Sequence, residues 1–480
     1  MSTVAPPSVP TATDTAPRFT RLMGLGVALA VLVGIVTLLL PTPDGLTPPA
    51  KNLAGVFVMA IILWVTEPVP IAVSSLLAIV LLVVFGVTTP GAAIVATMTP
   101  VFFFVLAMFC IAQVVVDSGL ARRFALALLT RAGSDSRRVV LAFMIGAAMM
   151  STVVSDVPVA AVWMSMALPL LARVAPVPGG SQFAKALMIG IPFASFIGGV
   201  GTPAGSSINI LGLFQIQQFG KVDVSFLQWM AIGVPMIIVL TPVAWWVLVW
   251  WFRPEVASVG DPAELRAEQQ ALGAWSGKEM KVAGLLALMI VLWIASSWFR
   301  FIDTTIVALA GAVLMFVPGM NLLTWQHAQR SIGWDVLLLV GGVTSLGAAA
   351  GATGLAKYLV ASLPDMTMWS VAAVIALISV VTVFIHLPLP VNPAIVGVLI
   401  PPIALLAISS GQNPALYTLP VVFMTSCALL LPLDSVTVIT YAKGYYRMTD
   451  MVVPGLIISV VWVLVMTAMM VWVAPLTGLI

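Results

Sequence analysis

The sequence predicts an all-α polytopic membrane protein with about eleven transmembrane helices and two re-entrant hairpins, arranged as two inverted-topology repeats with broken helices near the midplane. The 480 residues are 61% hydrophobic and only 8% charged, with a mean hydropathy of +1.16, whereas a soluble domain carries about 25% charged residues. Apolar runs of near-spanning length recur along almost the whole chain. The placement of the basic residues and an internal repeat then fix the arrangement.

The amino-terminal region contains a polar tail and the first span. Residues 1–20 are rich in Ser, Thr and Pro, and we expect a disordered tail there. Residues 21–50 supply the first membrane helix and an outer loop, because the apolar run after Arg21 is too long for a signal peptide. The other ten spans are predicted near residues 52–66, 71–87, 100–116, 182–219, 229–252, 282–299, 304–318, 333–351, 414–441 and 452–475.

Two apolar stretches, residues 139–172 and 368–409, are interrupted in the middle by polar residues and prolines. We interpret each as a re-entrant hairpin. The positive-inside rule tests this interpretation. With the amino terminus in the cytoplasm, sixteen of the 20 Lys and Arg residues fall on the cytoplasmic side, and treating either stretch as a full span would invert every later loop. The four outer basic residues are Lys51, Lys221, Arg300 and Lys357.

The chain divides into a first repeat, residues 51–252, and a second repeat, residues 282–480. Between them, residues 253–281 form the most charged segment, and its string "DPAELRAEQQAL" has an Asp cap, a Pro at the first helical position and good helix formers. We expect a short cytoplasmic helix there that links the two repeats. The net charge of +3 follows from the membrane topology, so we expect no nucleic-acid partner.

The repeat itself is visible in two similar strings, "DSGLARRFALALL" and "ATGLAKYLVASL", each of which closes a helix. From Ser118 to the first hairpin tip at Ser155 is 37 positions, and from Thr353 to the second tip at Val391 is 38. In the predicted topology the two strings lie on opposite faces, so the halves are inverted. Inverted repeats with broken helices near the midplane are typical of secondary transporters.

Each half also has an interrupted helix after its hairpin, in residues 196–214 and 426–444. Gly and Pro free backbone groups there, and such groups are tolerated at membrane depth only if they line a cavity or bind something. Half-helix amino termini favour anions, and freed carbonyls favour cations. Kinks that merely shape packing are the alternative, which four interruptions in symmetric positions disfavour.

Six motifs follow one another along the chain: "WVTEPVPIAVSSLLAIVLLVVFGV", the "SGLA" helix end, the hairpin around Ser155, "IGGVGTPAGSSIN", "GWDVLLLVGGVTSLGAAAGATGLA" and "KGYYRMTDM". Their order and spacing resemble the divalent anion/sodium symporter family from about Lys51 to the carboxyl terminus. The resemblance implies eleven membrane helices plus two hairpins, a homodimer, a scaffold with a moving transport part, and elevator-type alternating access. It also implies dicarboxylate, citrate or sulfate substrates, coupled to sodium or exchanged for another dianion.

In that family, each hairpin tip carries a Ser-Asn-Thr motif that binds sodium and the substrate carboxylates. Here the first tip reads "SDV" and the second "VNP", so the Thr is absent from both, and the broken helices read "SSIN" and "PLDSVT" where the family often has Thr-Pro-Pro-Asn. We expect sodium to be bound by Ser151, Ser155, Asp156, Gly201, Gly205, Asn392 and Asp434. We expect the substrate to be bound by Ser155, Asp156, Val157, Ser206, Asn209, Asn392, Pro393, Asp434 and Ser435.

Asp156 replaces a neutral amide beside the first predicted cation site. Its carboxylate could hold sodium tightly or titrate, since burial and a nearby cation act in opposite directions, or it could cap a half-helix. Asp434 poses the same choice in the second half, where Asn392 takes the place of Asp156. A dianion near both carboxylates would be repelled unless cations accompanied it. His386, just before the second tip, could shuttle protons or be an ordinary core histidine.

These features predict a secondary transporter of small dianions, coupled to sodium or protons or working by exchange. The alternative is a cation/proton antiporter of the same fold that uses Asp156 and Asp434. We expect no enzyme, because the chain has two histidines, no H-E-x-x-H and no nucleotide loop, and no cofactor other than the coupling ions. Cys110 and Cys427 are predicted to be packing residues. We expect a homodimer among lipids in the bacterial inner membrane, with a cytoplasmic amino terminus.

Overall fold

The structure, a computed structural model, describes residues 21–259, 262–299, 301–362 and 369–479. The predicted tail, residues 1–20, lies outside the described residues. Within those described ranges the chain is helical and forms no β-strand, which confirms the all-α class. The α-helices are α1 (Arg21–Leu39), α2 (Pro48–Thr66), α3 (Ile71–Val84), α4 (Pro90–Val95), α5 (Pro100–Ser118), α6 (Leu120–Ala132), α7 (Ser136–Ser151), α8 (Asp156–Val174), α9 (Gln182–Gly199), α10 (Ser207–Gln215), α11 (Phe226–Phe252), α12 (Pro262–Ala271), α13 (Gly277–Ala295), α14 (Thr304–Leu314), α15 (Trp325–Ser331), α16 (Trp334–Thr353), α17 (Leu355–Ala361), α18 (Val371–Ile385), α19 (Asn392–Ser409), α20 (Pro414–Thr425), α21 (Ser435–Tyr441) and α22 (Met448–Ala468).

Each predicted span coincides with one helix or with two consecutive helices. By length and composition, eight helical segments of the described chain are long and apolar enough to cross a membrane. Six of them coincide with predicted spans, and the other two, Asp156–Val174 and Asn392–Ser409, are arms of the predicted hairpins. Four more predicted spans coincide with shorter apolar helices of 10 to 17 residues, namely Met23–Leu39, α3, α14 and α20. The total of eleven spans stays a prediction.

The interruptions fall where the sequence predicts them. The first hairpin consists of α7 and α8, separated by residues 152–155, and the second consists of α18 and α19, separated by residues 386–391. The broken helices are α9 with α10 and α20 with α21. Their breaks span residues 200–206, which include a single 3₁₀ turn, and residues 426–434.

The two halves pack in the same way. In the first half α9 packs against both arms of its hairpin, α7 and α8, and in the second half α20 packs against α18 and α19. Across the halves, α21 packs against α8 and α9, while α10 packs against α19 and α20. The order of helices from α2 to α11 thus recurs from α13 to α22. The inverted orientation of the two repeats stays a prediction.

Loops assigned to the cytoplasmic side contact one another. Arg123 Nε lies 2.7 Å from Glu279 Oε1, and Lys185 Nζ lies 3.1 Å from Asp450. The segment between the two predicted repeats contains the helix α12, which packs against α6.

The ends of the first hairpin both lie beside this linker. Asp135, which precedes α7, forms a β-bridge with Ser258, and Arg173, in the last turn of α8, pairs with Glu264 on α12. A chain that leaves the linker and returns to it forms a hairpin. A single membrane crossing would end on the other side.

Loops assigned to the outer side also contact one another. Thr47 Oγ1 donates to the carbonyl of Thr353 at 3.0 Å, and Gln228 Nε2 donates to the carbonyl of Thr477 at 3.3 Å. These contacts join loops that the positive-inside rule assigns to the same side, and the sidedness of the two groups stays a prediction.

Candidate functional site

Three oxygen atoms converge where the first hairpin tip meets the break between α9 and α10. A Cβ atom built on Gly199 would lie 3.6 Å from Ser151 Oγ and 3.7 Å from both Asp156 Oδ2 and Gly205 O. The oxygens come from three separate segments: the end of α7, the start of α8 and the broken helix. They surround a small space that no side chain of Gly199 fills. We call Ser151, Asp156, Gly199 and Gly205 the first-half cluster.

The cluster has the chemistry of a cation site. Ser151 is fully buried, and its hydroxyl has no hydrogen-bond partner, although buried polar atoms normally have one. Asp156 is 8% exposed and brings a carboxylate. Hydroxyl, carboxylate and carbonyl oxygens are the ligands that hard cations prefer.

The backbone of the break is held close to the hairpin tip. A Cβ atom on Gly205 would lie only 2.5 Å from the carbonyl oxygen of Gly199 and 2.7 Å from that of Ser151, so only glycine fits there. Asn209 Nδ2 donates to the carbonyls of Gly199 at 2.7 Å and Thr202 at 2.9 Å. These bonds fix the path of the broken segment and hence the positions of its carbonyl oxygens.

The two carboxylate oxygens of Asp156 have different surroundings. Oδ1 accepts hydrogen bonds from Ser155 Oγ and from the backbone N–H of Val157, both at 3.1 Å. Oδ2 points towards the first-half cluster. Asp156 therefore orders the start of α8 with one oxygen and leaves the other for a ligand, so the capping and cation-binding alternatives are compatible.

The sequence pattern predicts Gly201 as a sodium ligand, whereas the structure places Gly199 in the first-half cluster. Gly201 instead packs against Ile237 and Thr152, and its carbonyl faces Gly233 on α11. The string "IGGVG" offers three glycines. Which carbonyl turns inward depends on the backbone path of the break, which the sequence pattern does not specify.

In the second half, Asn392, Asp434 and Ser435 come together as the sequence predicts. Asn392 Nδ2 donates to Asp434 Oδ2 at 2.9 Å, and the backbone N–H of Val436 donates to Asp434 Oδ1 at 2.9 Å. Asp434 is thus the N-cap of α21, and Ser435 Oγ lies 3.5 Å from Oδ1. Both carboxylate oxygens already accept hydrogen bonds, which is a different arrangement from that of Asp156.

The other predicted substrate residues lie at the same helix starts. Val157 is half-buried in the first turn of α8, Ser206 is the buried N-cap of α10, and Pro393 is buried in the first turn of α19. Asn209 is fully buried, and its amide group is used inside the break.

The two halves of the site are electrostatically connected. The helix that begins after Asp434 packs against the helix that begins with Asp156, so the two buried carboxylates lie at the starts of neighbouring helices, and like charges repel each other. An anion that bound between them would meet two negative charges unless each was neutralised.

Two similar halves, each with a hairpin and a broken helix, are typical of a secondary transporter. The chain belongs to the family described as the sodium:sulfate symporter transmembrane region, which matches residues 20–479. This confirms the resemblance to the divalent anion/sodium symporters.

Individual relatives agree with this assignment. The chain is 27% identical to the sodium-dependent dicarboxylate transporter SdcS of Staphylococcus saprophyticus, over 94% of this chain and 91% of that protein. It is 26% identical to SdcS of Staphylococcus aureus, with the same coverage. Among solved structures, it resembles MtrF of Neisseria gonorrhoeae, described as illuminating a class of antimetabolite efflux pumps, with a TM-score of 0.56, 11% identity and coverage of 94% and 95%. That likeness concerns the fold alone.

Proposed function

We propose that this protein carries small dianions of the dicarboxylate, citrate or sulfate class across the membrane together with sodium. The observation that carries the proposal is the convergence of Ser151 Oγ, Asp156 Oδ2 and Gly205 O on the position beside Gly199. The names of the family and of the two staphylococcal relatives support the substrate class and the coupling ion.

Sodium in the first-half cluster would neutralise Asp156. Burial of an unpaired carboxylate is unfavourable, so the ion is stabilised by Asp156 Oδ2, and the charge that a dianion would meet is removed at the same time. Substrate affinity and sodium affinity are therefore coupled, which is the thermodynamic requirement for symport.

The dianion would bind between the hairpin tips. The starts of α8, α10 and α19 carry the predicted substrate residues, and helix amino termini favour negative charge. Ser155, Val157 and Ser206 belong to the first-half side of this space, and Asn392, Pro393 and Ser435 to the second-half side. We propose that the two hairpins and the two broken helices move as one unit against the remaining helices, in an elevator-type cycle within a homodimer.

The test is uptake by proteoliposomes with sodium and proton gradients imposed separately. Labelled succinate, citrate and sulfate serve as probes. We expect an inward sodium gradient to drive accumulation of at least one of them, and Asp156→Ala to abolish the sodium effect. The two buried carboxylates are the observation that favours the cation/proton antiporter. Sodium efflux driven by a proton gradient, with no dianion present, would establish that function and refute symport.

A further inference from the structure

His386 in the second half corresponds in position to Ser151 in the first half. The repeat pairs Ser118 with Thr353, an offset of 235 positions that also carries Ser151 to His386. Ser151 is the last residue of α7, and His386 directly follows α18, the corresponding arm of the second hairpin. The first half thus has a small hydroxyl at this position, and the second half has an imidazole.

The imidazole faces two carbonyl oxygens. His386 Nδ1 lies 2.7 Å from the carbonyl oxygen of Thr382, and Nε2 lies 2.9 Å from that of Thr425. A carbonyl oxygen only accepts hydrogen bonds, and a neutral imidazole has one N–H group. In the neutral ring, one of these contacts would bring two lone pairs together, whereas an imidazolium donates to both oxygens.

The surroundings favour a cation as well. Thr382 lies in the last turn of α18 and Thr425 is the last residue of α20, so two helix carboxyl termini converge on the ring, and helix carboxyl termini favour positive charge. In the first half, the ends of α7 and α9 converge on the oxygens around Gly199 in the same way. His386 is only 6% exposed. The ring is thus buried between two carbonyl oxygens and near a carboxylate.

That carboxylate belongs to Asp434. It shares a small cavity with His386, with room for about one water molecule, so a positive charge on the ring and the carboxylate would attract each other across it. Cys427, from the break after α20, also lines the cavity, and its thiol lies 3.3 Å from Ser459 Oγ on α22. The other titratable groups of the packed helices lie further along them: Tyr417 on α20, and Asp450, which pairs with Lys185, on α22.

We propose that His386, as an imidazolium, provides the second-half cation, so that transport couples one bound sodium ion and one proton to each dianion. Sodium neutralises Asp156, and the His386 ring neutralises Asp434 through space. The amide nitrogen of Asn392 then completes the hydrogen bonding of Asp434, while its buried Oδ1, which has no partner within the described residues, is left for substrate or water rather than for a second metal ion. This inference rests on the proposed function, because it assigns the coupling ions of that same site.

The inference predicts two properties of the wild-type protein. Uptake of the transported dianion should depend on sodium with a Hill coefficient of about 1. As the pH rises above the titration range of His386, uptake at low substrate concentration should fall by up to about tenfold per pH unit, because the imidazolium fraction falls by that factor.

Two variants distinguish a charged His386 from a histidine that only stabilises the structure. His386→Gln keeps a hydrogen-bond donor but cannot be charged, so uptake should lose its pH dependence while sodium still raises the melting temperature. His386→Ser copies Ser151 and opens space for a second ion, so the Hill coefficient should rise towards 2. His327→Gln is the matched control, because His327 is the other histidine of the chain and lies on the surface beside Asp117.

Failure of this inference can be distinguished from failure of the proposed function. A wild-type protein without sodium-driven dianion uptake would refute the proposed function and this inference with it. Sodium-driven uptake with a Hill coefficient of about 2, or a His386→Gln protein with the wild-type pH profile, would refute this inference alone. The wild-type measurements decide the question even if a variant fails to fold.

Discussion

Gly199 shapes the proposed sodium site although it has no side chain. It is the last residue of α9. A Cβ atom added to it would lie 3.6 to 3.7 Å from Ser151 Oγ, Asp156 Oδ2 and Gly205 O. These distances are ordinary van der Waals contacts for a methyl group. A methyl group can therefore enter the space without disturbing the fold, and it would occupy the position proposed for the ion.

Gly199→Ala should leave the protein folded and remove its response to sodium. We expect a melting temperature in detergent that differs little from that of the wild type in the absence of sodium. We also expect loss of the increase that sodium produces in the wild type, since only an ion that binds the native state raises its melting temperature. A thermal-stability titration with sodium chloride, with choline chloride to hold ionic strength constant, measures both quantities.

Gly347→Ala is the control for this substitution. Gly347 is a buried helical glycine whose added methyl would also meet its nearest atom, Gln215 Nε2, at an ordinary distance of 3.5 Å. Its sodium response should equal that of the wild type. If Gly199→Ala retained the full sodium shift, the cluster around Gly199 would not be the sodium site.

At the scale of single residues, the sequence identifies the side chains that form the site better than the backbone groups that do so. Ser151 and Asp156 are recognisable because a hydroxyl and a carboxylate are unusual in an apolar run. Gly199 is not recognisable because its contribution is a carbonyl and a space, and both depend on how the chain turns between α9 and α10. The sequence raised proton transfer by His386, but its two carbonyl partners become visible only when α18 and α20 are placed together.

At the scale of elements, the interruptions were predictable for a physical reason. Pro and Gly at membrane depth leave backbone groups without helical partners, so the breaks near Pro203 and Pro432 stand out in apolar sequence. Packing between the halves was not predictable, because the contact of α10 with α19 and α20 joins segments that are far apart in the chain. The local patterns of those segments do not specify their partners.

The linker is anchored to the first half by a shielded ion pair. Arg123 Nε and Nη2 donate to the carboxylate of Glu279 at 2.7 and 3.2 Å, and Arg123 also donates to carbonyls of the preceding turn. Glu279 and Ser276 form a capping box at the start of α13. The hydrogen bond from Arg123 and those from Ser276 lower the pKa of Glu279 to about 2.

Glu279→Gln should lower the melting temperature at neutral pH and have less effect in acid. The folded-state pKa of about 2 lies below the usual Glu value of about 4.3. The stabilisation by the carboxylate is therefore fully present above pH 4.3 and is lost as the pH falls towards 2. The difference between the melting temperatures of the variant and the wild type should therefore stay constant from pH 7 to about pH 4.3 and narrow between about pH 4.3 and pH 3.

Glu268→Gln provides the comparison for this pH series. Glu268 pairs with Arg122 at 3.8 Å, and both side chains are more than half exposed, so the pair contributes little to stability. The Glu268→Gln protein should follow the wild type at every pH. A difference between Glu279→Gln and the wild type that stayed constant between pH 7 and pH 3 would contradict the assigned role of the Glu279 carboxylate.

At the scale of the whole molecule, the predicted sidedness follows from which loops contact one another. The hairpin interpretation places the residues before α7 and after α8 on one side of the membrane. Arg131 and Val177 are exposed residues at these two positions. Asp44, in the loop between α1 and α2, is exposed in the group of loops assigned to the outer side.

Single cysteines at these positions should reveal the hairpin directly. Arg131→Cys and Val177→Cys should react with a membrane-impermeant maleimide in inside-out vesicles, and Asp44→Cys should react in right-side-out vesicles. Cys110 and Cys427 are buried, and the unsubstituted protein measures their background. Labelling of Arg131→Cys and Val177→Cys from opposite sides would show that residues 139–172 cross the membrane once.

The central claim is that a sodium ion held by Asp156 moves together with a dianion. Simultaneous measurement of radioactive sodium and labelled dianion uptake in the same proteoliposomes tests it most directly. We predict that each flux requires the other solute on the same side of the membrane, that the two fluxes keep a constant ratio, and that Asp156→Ala abolishes the coupled sodium flux. Sodium uptake that proceeds at the same rate without any dianion, or dianion uptake unchanged when sodium is replaced by choline, would contradict the claim.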